Sequence, residues 1–152
     1  MQTEFLVEEQ KSKSELTEEF IWMNMRFAVG ELVADITAGK IRPKESRFPQ
    51  EFIATYAKTI LGVKEGIVSG PAHGLVVSVQ YERMLAMPEF AFSQPVIMAY
   101  VGRGKGILDI DGTGTHYVLI DGNHRMGKAY LDAREGVDVV ILSAAQVRKY
   151  KR

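Results

Sequence analysis

One junction, in residues 117–129, constrains what this chain can fold into more than any other feature. Tyr117, Val118, Leu119 and Ile120 make an apolar, β-prone run that stops at Asp121 and Gly122, and Asn123, His124 and Arg125 then open a helical pattern. A strand therefore feeds a helix through a tight turn. The first N–H groups of a helix have no partner within it and carry the positive end of its dipole, so an anion placed there gains hydrogen bonds and field. A plain structural reading makes Asp121 or Asn123 the helix cap, Gly122 the turn residue, and His124 and Arg125 exposed first-turn groups. It does not explain why two cationic residue types stand at the helix end that opposes them by roughly a few tenths of a kcal/mol each. A phosphate or nucleotide joining them would account for the placement.

The chain has 152 residues, room for one domain with a real core or for a small domain with an extension. Apolar residues make up 46% and charged residues 25%, a balance that argues against general disorder and predicts a globular unit. Basic and acidic residues number 19 each, so no overall field draws the chain to duplex nucleic acid and any such site must be local. The sequence has no cysteine, which excludes disulfides, thiolate metal sites and thiol nucleophiles together. No window approaches the roughly 18 apolar residues that span a bilayer, and the N-terminus lacks a basic stretch followed by an apolar run. The expected location is the cytoplasm, with no membrane partner.

Residues 1–13 read as a polar lead-in, and from Ser14 the spacing turns helical. Leu16, Phe20, Met23 and Phe27 form one row, and Ile21, Met25, Ala28, Leu32 and Ile36 a second beside it. Ser12 with Glu15, or Thr17 with Glu18 and Glu19, would begin this helix, and Gly39 would end it. Left uncovered, so wide an apolar face favours a homodimer. Residues 40–49 contain Pro43 and Pro49 and read as a connector. A second helix over residues 49–61 would place Phe52, Ile53, Tyr56, Ala57 and Ile60 on one face, with Gly62 past its end. Residues 1–66 are thus expected as an N-terminal helical extension and residues 67–152 as the main domain.

The glycine-rich residues 66–74 mark the boundary, and β patterning follows: a strand at 75–79, a short helical turn at 81–87 and a strand at 94–101. Glycines at 102, 104, 106, 112 and 114 predict a long hairpin connection into the strand ending at Ile120. The helix after Asp121 should run to Arg134 and stop at Gly136, before a final strand over 137–142. The fold class is α+β, a small mixed sheet with flanking helices. Its last strand, helix and strand form a β-α-β unit with a right-handed crossover.

Glu82 and Arg83 stand just after the first strand of this domain. A reaction on phosphates needs a carboxylate as general base or metal ligand, and Glu82 is the candidate; a solvated charge pair is the plainer alternative. Residues 99–106 fail as a P-loop, because Ala99 stands where the motif needs glycine and Gly106 follows Lys105 where it needs serine or threonine. Arg103 and Lys105 would still reach a bound polyanion, and so would the basic ending Arg148, Lys149, Lys151 and Arg152, where a solvated tail is the commoner case. His73, His116, His124, Asp109, Asp111 and Asp121 match no compact metal spacing, so Mg²⁺ carried by a nucleotide is favoured over a structural metal.

The run of residues 118–129, with residues 136–141 after it, resembles the ParB/sulfiredoxin superfamily, whose small α+β fold holds nucleotide phosphates on a strand–turn–helix motif. The resemblance covers roughly residues 74–143, and its specific part is the turn at 121–125. It implies that Gly122, Asn123, His124 and Arg125 surround the phosphates and that Asp121 orients the turn or holds a metal-bound water. Sulfiredoxins carry a reactive cysteine where this chain has Asn123, which removes peroxiredoxin repair. Partition-type members carry further upstream boxes and a DNA-reading helix-turn-helix. Here Gln80, Tyr81, Glu82 and Arg83 follow the first strand and ten residues follow Leu142, so the branch of free-serine kinases and ParB-like nucleases is the nearer resemblance. It implies a nucleoside di- or triphosphate (ATP, ADP or CTP) with Mg²⁺. Catalysis by Glu82, Asp121, His124 and Arg125 would be phosphoryl transfer or phosphodiester or triphosphate hydrolysis. The alternative is a non-catalytic phage- or plasmid-type module that binds nucleic acid or a partner protein.

Overall fold

The computed structural model describes residues 18–64, 67–68 and 81–152. Within residues 20–27, Trp22, Met25 and Phe27 are buried while Ile21, Met23 and Arg26 are exposed, a strand alternation rather than a helical stripe. β1 (Phe20–Trp22) and β2 (Met25–Phe27) pair antiparallel, with Phe20 opposite Phe27 and Trp22 opposite Met25. Their two-residue connection sets Met23 at φ 55, the region that tight hairpin turns demand. The helix expected from Ser14 is therefore corrected: α1 covers only Val29–Thr37. The same apolar residues satisfy both periods, and the hairpin buries Trp22, Met25 and Phe27. The two-row face on which a homodimer was expected is not formed by the described residues, and Ser12, Glu15, Leu16 and Thr17 lie outside them. Gly39 does close α1, at φ 74, with Gly39 N donating to Ile36 O and Lys40 N to Asp35 O.

Residues 40–49 are more than a connector, because they contain β3 (Lys44–Pro49). The expected second helix is present as α2 (Gln50–Tyr56), running into a π-helical turn (Ala57–Leu61) that Gly62 ends at φ 73. β4 (Val63–Lys64) and β5 (Ile67–Val68) form a small antiparallel ladder. The expected strand at 75–79 and His73 lie outside the described residues, as does the boundary at 66–74 apart from β5. α3 (Tyr81–Leu85) and a 3₁₀ turn (Glu89–Ser93) lead to β6 (Val96–Tyr100), β7 (Tyr117–Asp121), α4 (Asn123–Leu131), β8 (Gly136–Leu142) and α5 (Ala144–Arg148). α4 stops before the expected Arg134. Ala133 takes φ 53, Ala133 N donates to Tyr130 O and Arg134 N to Ala129 O, so an alanine makes the left-handed turn for which a glycine was sought.

The main sheet has the order β3-β8-β6-β7, with β3 antiparallel to β8 and Phe48 opposite Val137. Lys44, Glu45, Ser46 and Arg47 are exposed on β3, which suits a sheet edge, and only Phe48 is buried. On the inner strands Val96, Ile97, Met98, Val137, Val139 and Val140 are all buried.

The described residues of Met1–Pro43, Ala99–Ile120 and Leu142–Arg152 form one compact unit, and those of Lys44–Met98 and Asp121–Ile141 another. In the first, the basic ending is docked rather than a solvated tail. Ala28 N donates to Tyr150 O, the buried Tyr150 hydroxyl donates to Asp35 at 2.6 Å, Arg152 N donates to Arg26 O, and the Arg152 side chain pairs with Glu31. Trp22 Nε1 donates to Lys105 O at 2.7 Å, and His116 joins the two arms of the glycine-rich connection: its Nδ1 accepts from Gly104 N while its Nε2 faces Thr113 O. In the second unit α2, its π turn and α3 all pack on α4. A Cβ at Gly127 would lie 2.4 Å from Met84 Sδ, so α3 and α4 approach closely there. No helix of the described residues is long and apolar enough to cross a membrane.

Candidate functional site

The turn that joins β7 to α4 is built around Gly122. This residue is the N-cap of α4 at φ 104, with no side chain capping the helix, and Met126 N donating to Gly122 O is the first rung of the helical ladder. A Cβ here would stand 2.3 Å from Val96 Cγ1, so the turn lies directly against the start of β6. Both the dihedral and the approach require glycine.

Arg125, one turn into α4, is only 8% exposed. Its Nη2 donates to Asp121 Oδ2 at 2.7 Å, and its Nη1 donates to Gln94 O at 2.6 Å and Pro95 O at 3.1 Å. One planar guanidinium thus ties the last residue of β7, the first turn of α4 and the chain entering β6. The buried Tyr56 hydroxyl of α2 donates to Asn123 Oδ1, and burial pushes the pKa of that phenol far up, so it stays protonated and a donor. Sequence reasoning placed Tyr56 on an apolar helix face and gave it no site role. The signal was there, since a tyrosine on a buried face needs a partner for its hydroxyl.

His124 is half-buried. Burial first, and then the positive charge of Arg83 of α3, hold its imidazole below the ordinary histidine value. Its neighbour Glu82 is exposed on α3, the short helical turn expected from residue 81, and no hydrogen bond or ion pair to its carboxylate is found among the described residues. Asp121, expected to orient the turn or hold a metal-bound water, carries the guanidinium of Arg125 on one oxygen, which competes with any cation there. Among the described residues no group of three or more His, Asp or Glu side chains stands close enough to hold a metal ion. Asp109 and Asp111 instead accept hydrogen bonds from Gly112 N and Thr113 within their own loop. Arg103 and Lys105 are exposed in the first unit, whereas Asp121, Gly122, Asn123, His124, Arg125, Tyr56 and Arg83 all belong to the second.

The lowered His124 value fixes the sign of a pH effect. The unfolded imidazole, near pH 6.5, takes up a proton more readily than the folded one, so the stability tied to its neutral form is present above that pH and lost as pH falls through the lowered folded value. Urea midpoints measured above about pH 7.5 and near pH 5.5 should therefore fall further in the wild type than in His124→Gln. Equal falls in both proteins would show that another group is responsible.

Fold and site together define a mixed α+β protein with a glycine-turned strand–helix junction, braced by a buried arginine. Comparison of the chain with protein-family models, with curated proteins and with solved structures finds no match.

Proposed function

We propose that the chain is a nucleotide-binding protein of the ParB/sulfiredoxin type that holds nucleotide phosphates at the β7–α4 turn. The observation that carries this reading is the arrangement around Gly122: β7 delivers the chain straight into the N-terminus of α4, with His124 in its first turn and the positive charge of Arg83 acting on that imidazole. Helix N-termini at the carboxyl ends of strands are suited to phosphate, and each added cation strengthens the preference.

In this reading the first turn of α4, His124 and Arg83 meet the phosphates. Arg125 and Asp121 hold the turn in shape from beneath, since the guanidinium is committed to Asp121, Gln94 and Pro95. A nucleotide would bring Mg²⁺ on its own phosphates, because Asp121 is engaged with Arg125. The chemistry that follows is phosphoryl transfer or hydrolysis of a phosphodiester or triphosphate, and a phosphate bound next to His124 would draw the imidazole toward its protonated, donating form.

Calorimetric titration with ATP, ADP and CTP in the presence of Mg²⁺ tests the proposal. Saturable binding that Arg83→Ala and His124→Asn each weaken by about tenfold, equivalent to about 1.4 kcal/mol per lost charged contact, is the expected result. No binding by the wild type, together with a rise in Tm on adding DNA, would replace it by the non-catalytic nucleic-acid module.

A further inference from the structure

We infer that His116 is a pH-sensitive clasp: its neutral imidazole holds residues 102–105 of the glycine-rich connection closed, and its protonation releases them. The inference is independent of the phosphate reading, since every group in it belongs to the first compact unit. Two hydrogen bonds at opposite ring nitrogens fix the chemistry. Gly104 N lies 2.9 Å from Nδ1, and a backbone N–H can only donate, so Nδ1 must keep its lone pair. The proton of the neutral ring is then on Nε2, where it is donated to Thr113 O at 3.1 Å. A second proton can go only to Nδ1. It would set two donors against each other at the Gly104 contact while leaving the Thr113 bond in place, strengthened by charge.

The backbone around the ring lets one arm leave and keeps the other. Gly102 at φ 124 and Gly104 at φ 71 stand on either side of Arg103, in conformations that glycine adopts without strain. Gly106 is a fixed point instead: a Cβ there would be 2.4 Å from Tyr117 N, and Gly106 N donates to Thr115 O. Release is therefore bounded by Gly106 on one side and on the other by Val101, whose N–H donates to His116 O. Between them Lys105 O accepts the indole N–H of the buried Trp22, the only tryptophan in the chain. A loosened arm loses that bond as well and frees the exposed side chains of Arg103 and Lys105, so the positions of two cations follow pH. The charges around the ring pull both ways. Arg103 and Lys105 on the arm it holds disfavour a second positive charge, whereas Asp109 and Asp111 in the loop that leads to it favour one. The Asp111 carboxyl is itself held low, by hydrogen bonds from Thr113 first and by the charge of His116 last. Tyr100 of β6, with its ring centroid 6.0 Å from that of the imidazole, and Tyr117 of β7 complete the surround.

Nitrogen NMR of the intact chain, followed from about pH 8 to about pH 5, reads the clasp directly. At high pH the neutral ring of His116 should be the Nε2–H tautomer, with the Gly104 amide protected from exchange. As His116 titrates, the protection factor of Gly104 should fall by about tenfold or more, those of Val101 and Gly106 should hold, and the Trp22 indole resonance should move with the same midpoint. In His116→Asn the side-chain oxygen can accept from Gly104 N at any pH, so the pH step at Gly104 and Trp22 should disappear. An Nδ1–H tautomer in the neutral ring overturns the inference, because Gly104 would then have no acceptor. So does a Gly104 protection factor that stays unchanged through the His116 titration, or a Trp22 signal that does not follow it. Loss of protection at Val101 and Gly106 together with Gly104 overturns it as well, since the whole unit would then be opening. A pH step that persists in His116→Asn assigns the effect to another group and has the same consequence, and the wild-type readings decide alone if that variant does not fold.

Discussion

Replacing Arg125 by alanine is expected to lower the free energy of unfolding by about 3–5 kcal/mol, measured by urea denaturation without any ligand. The cost follows from what the guanidinium leaves behind. Asp121 would keep a charge with its partner gone, and the carbonyls of Gln94 and Pro95 would lose their donor. The Arg125 and Asp121 side chains are only 9% and 20% exposed, so solvent screens little of the loss. Small domains have about 5–15 kcal/mol in total, which makes this a large share of the stability. Arg125→Lys should recover only part of it, since one ammonium cannot copy a planar fork directed at three acceptors. Changing Asp121 to Asn in the alanine variant should restore some stability by removing the orphaned charge. A loss of under about 1 kcal/mol for Arg125→Ala would show that the guanidinium is not the brace described. The sequence motif places Arg125 among the residues that surround a phosphate. Buried contacts shift its main effect from the ligand to the fold.

That shift shows where the sequence was legible. The β7–α4 turn could be read because every signal in it is local: an apolar run, a glycine at the break, and a polar triplet opening a helix. Nothing local reveals that Arg125 reaches Gln94 and Pro95, about thirty residues earlier in the chain, or that Tyr56 reaches Asn123 across 67 residues. Both bonds depend on which elements the fold brings together. The missed strands have a different cause. Among the described residues β3 is at the edge of its sheet, and it carries Lys44, Glu45, Ser46 and Arg47, charge that discourages pairing with another chain, so it shows no apolar alternation. Residues 20–27 are apolar at spacings that satisfy a helix and a hairpin equally, and the choice between them falls on Met23, a residue type that rarely takes positive φ. Ala133 misled for the same reason at the end of α4. Where a residue adopts a backbone state against its own preference, local propensity points the wrong way and tertiary packing decides.

Gly122→Ala should be the most damaging single methyl addition in the turn, with an expected loss of about 2–5 kcal/mol in the same denaturation assay. Two costs combine. An alanine at φ 104 is strained whatever surrounds it, by about 1–2 kcal/mol, and its Cβ would stand 2.3 Å from Val96 Cγ1 and 2.7 Å from Val96 Cβ. Neither atom can yield easily, since Val96 is fully buried at the start of β6 and its Cα lies only 3.2 Å from the same point. The two costs can be separated by shortening Val96 to alanine in the Gly122→Ala protein. Removal of Cγ1 relieves part of the overlap and none of the dihedral strain, so the double variant should be less destabilised than the sum of its parts while remaining weaker than Val96→Ala alone. Strict additivity would mean that the methyl finds space by moving the turn instead. Moving the turn carries its own consequence: α4 would start from a displaced first residue, Asn123 would leave the hydroxyl of Tyr56, and nucleotide affinity should fall in the protein that remains folded. Glycine at 122 is therefore set by the close approach of β7, α4 and β6, and the same approach gives the candidate phosphate site its shape.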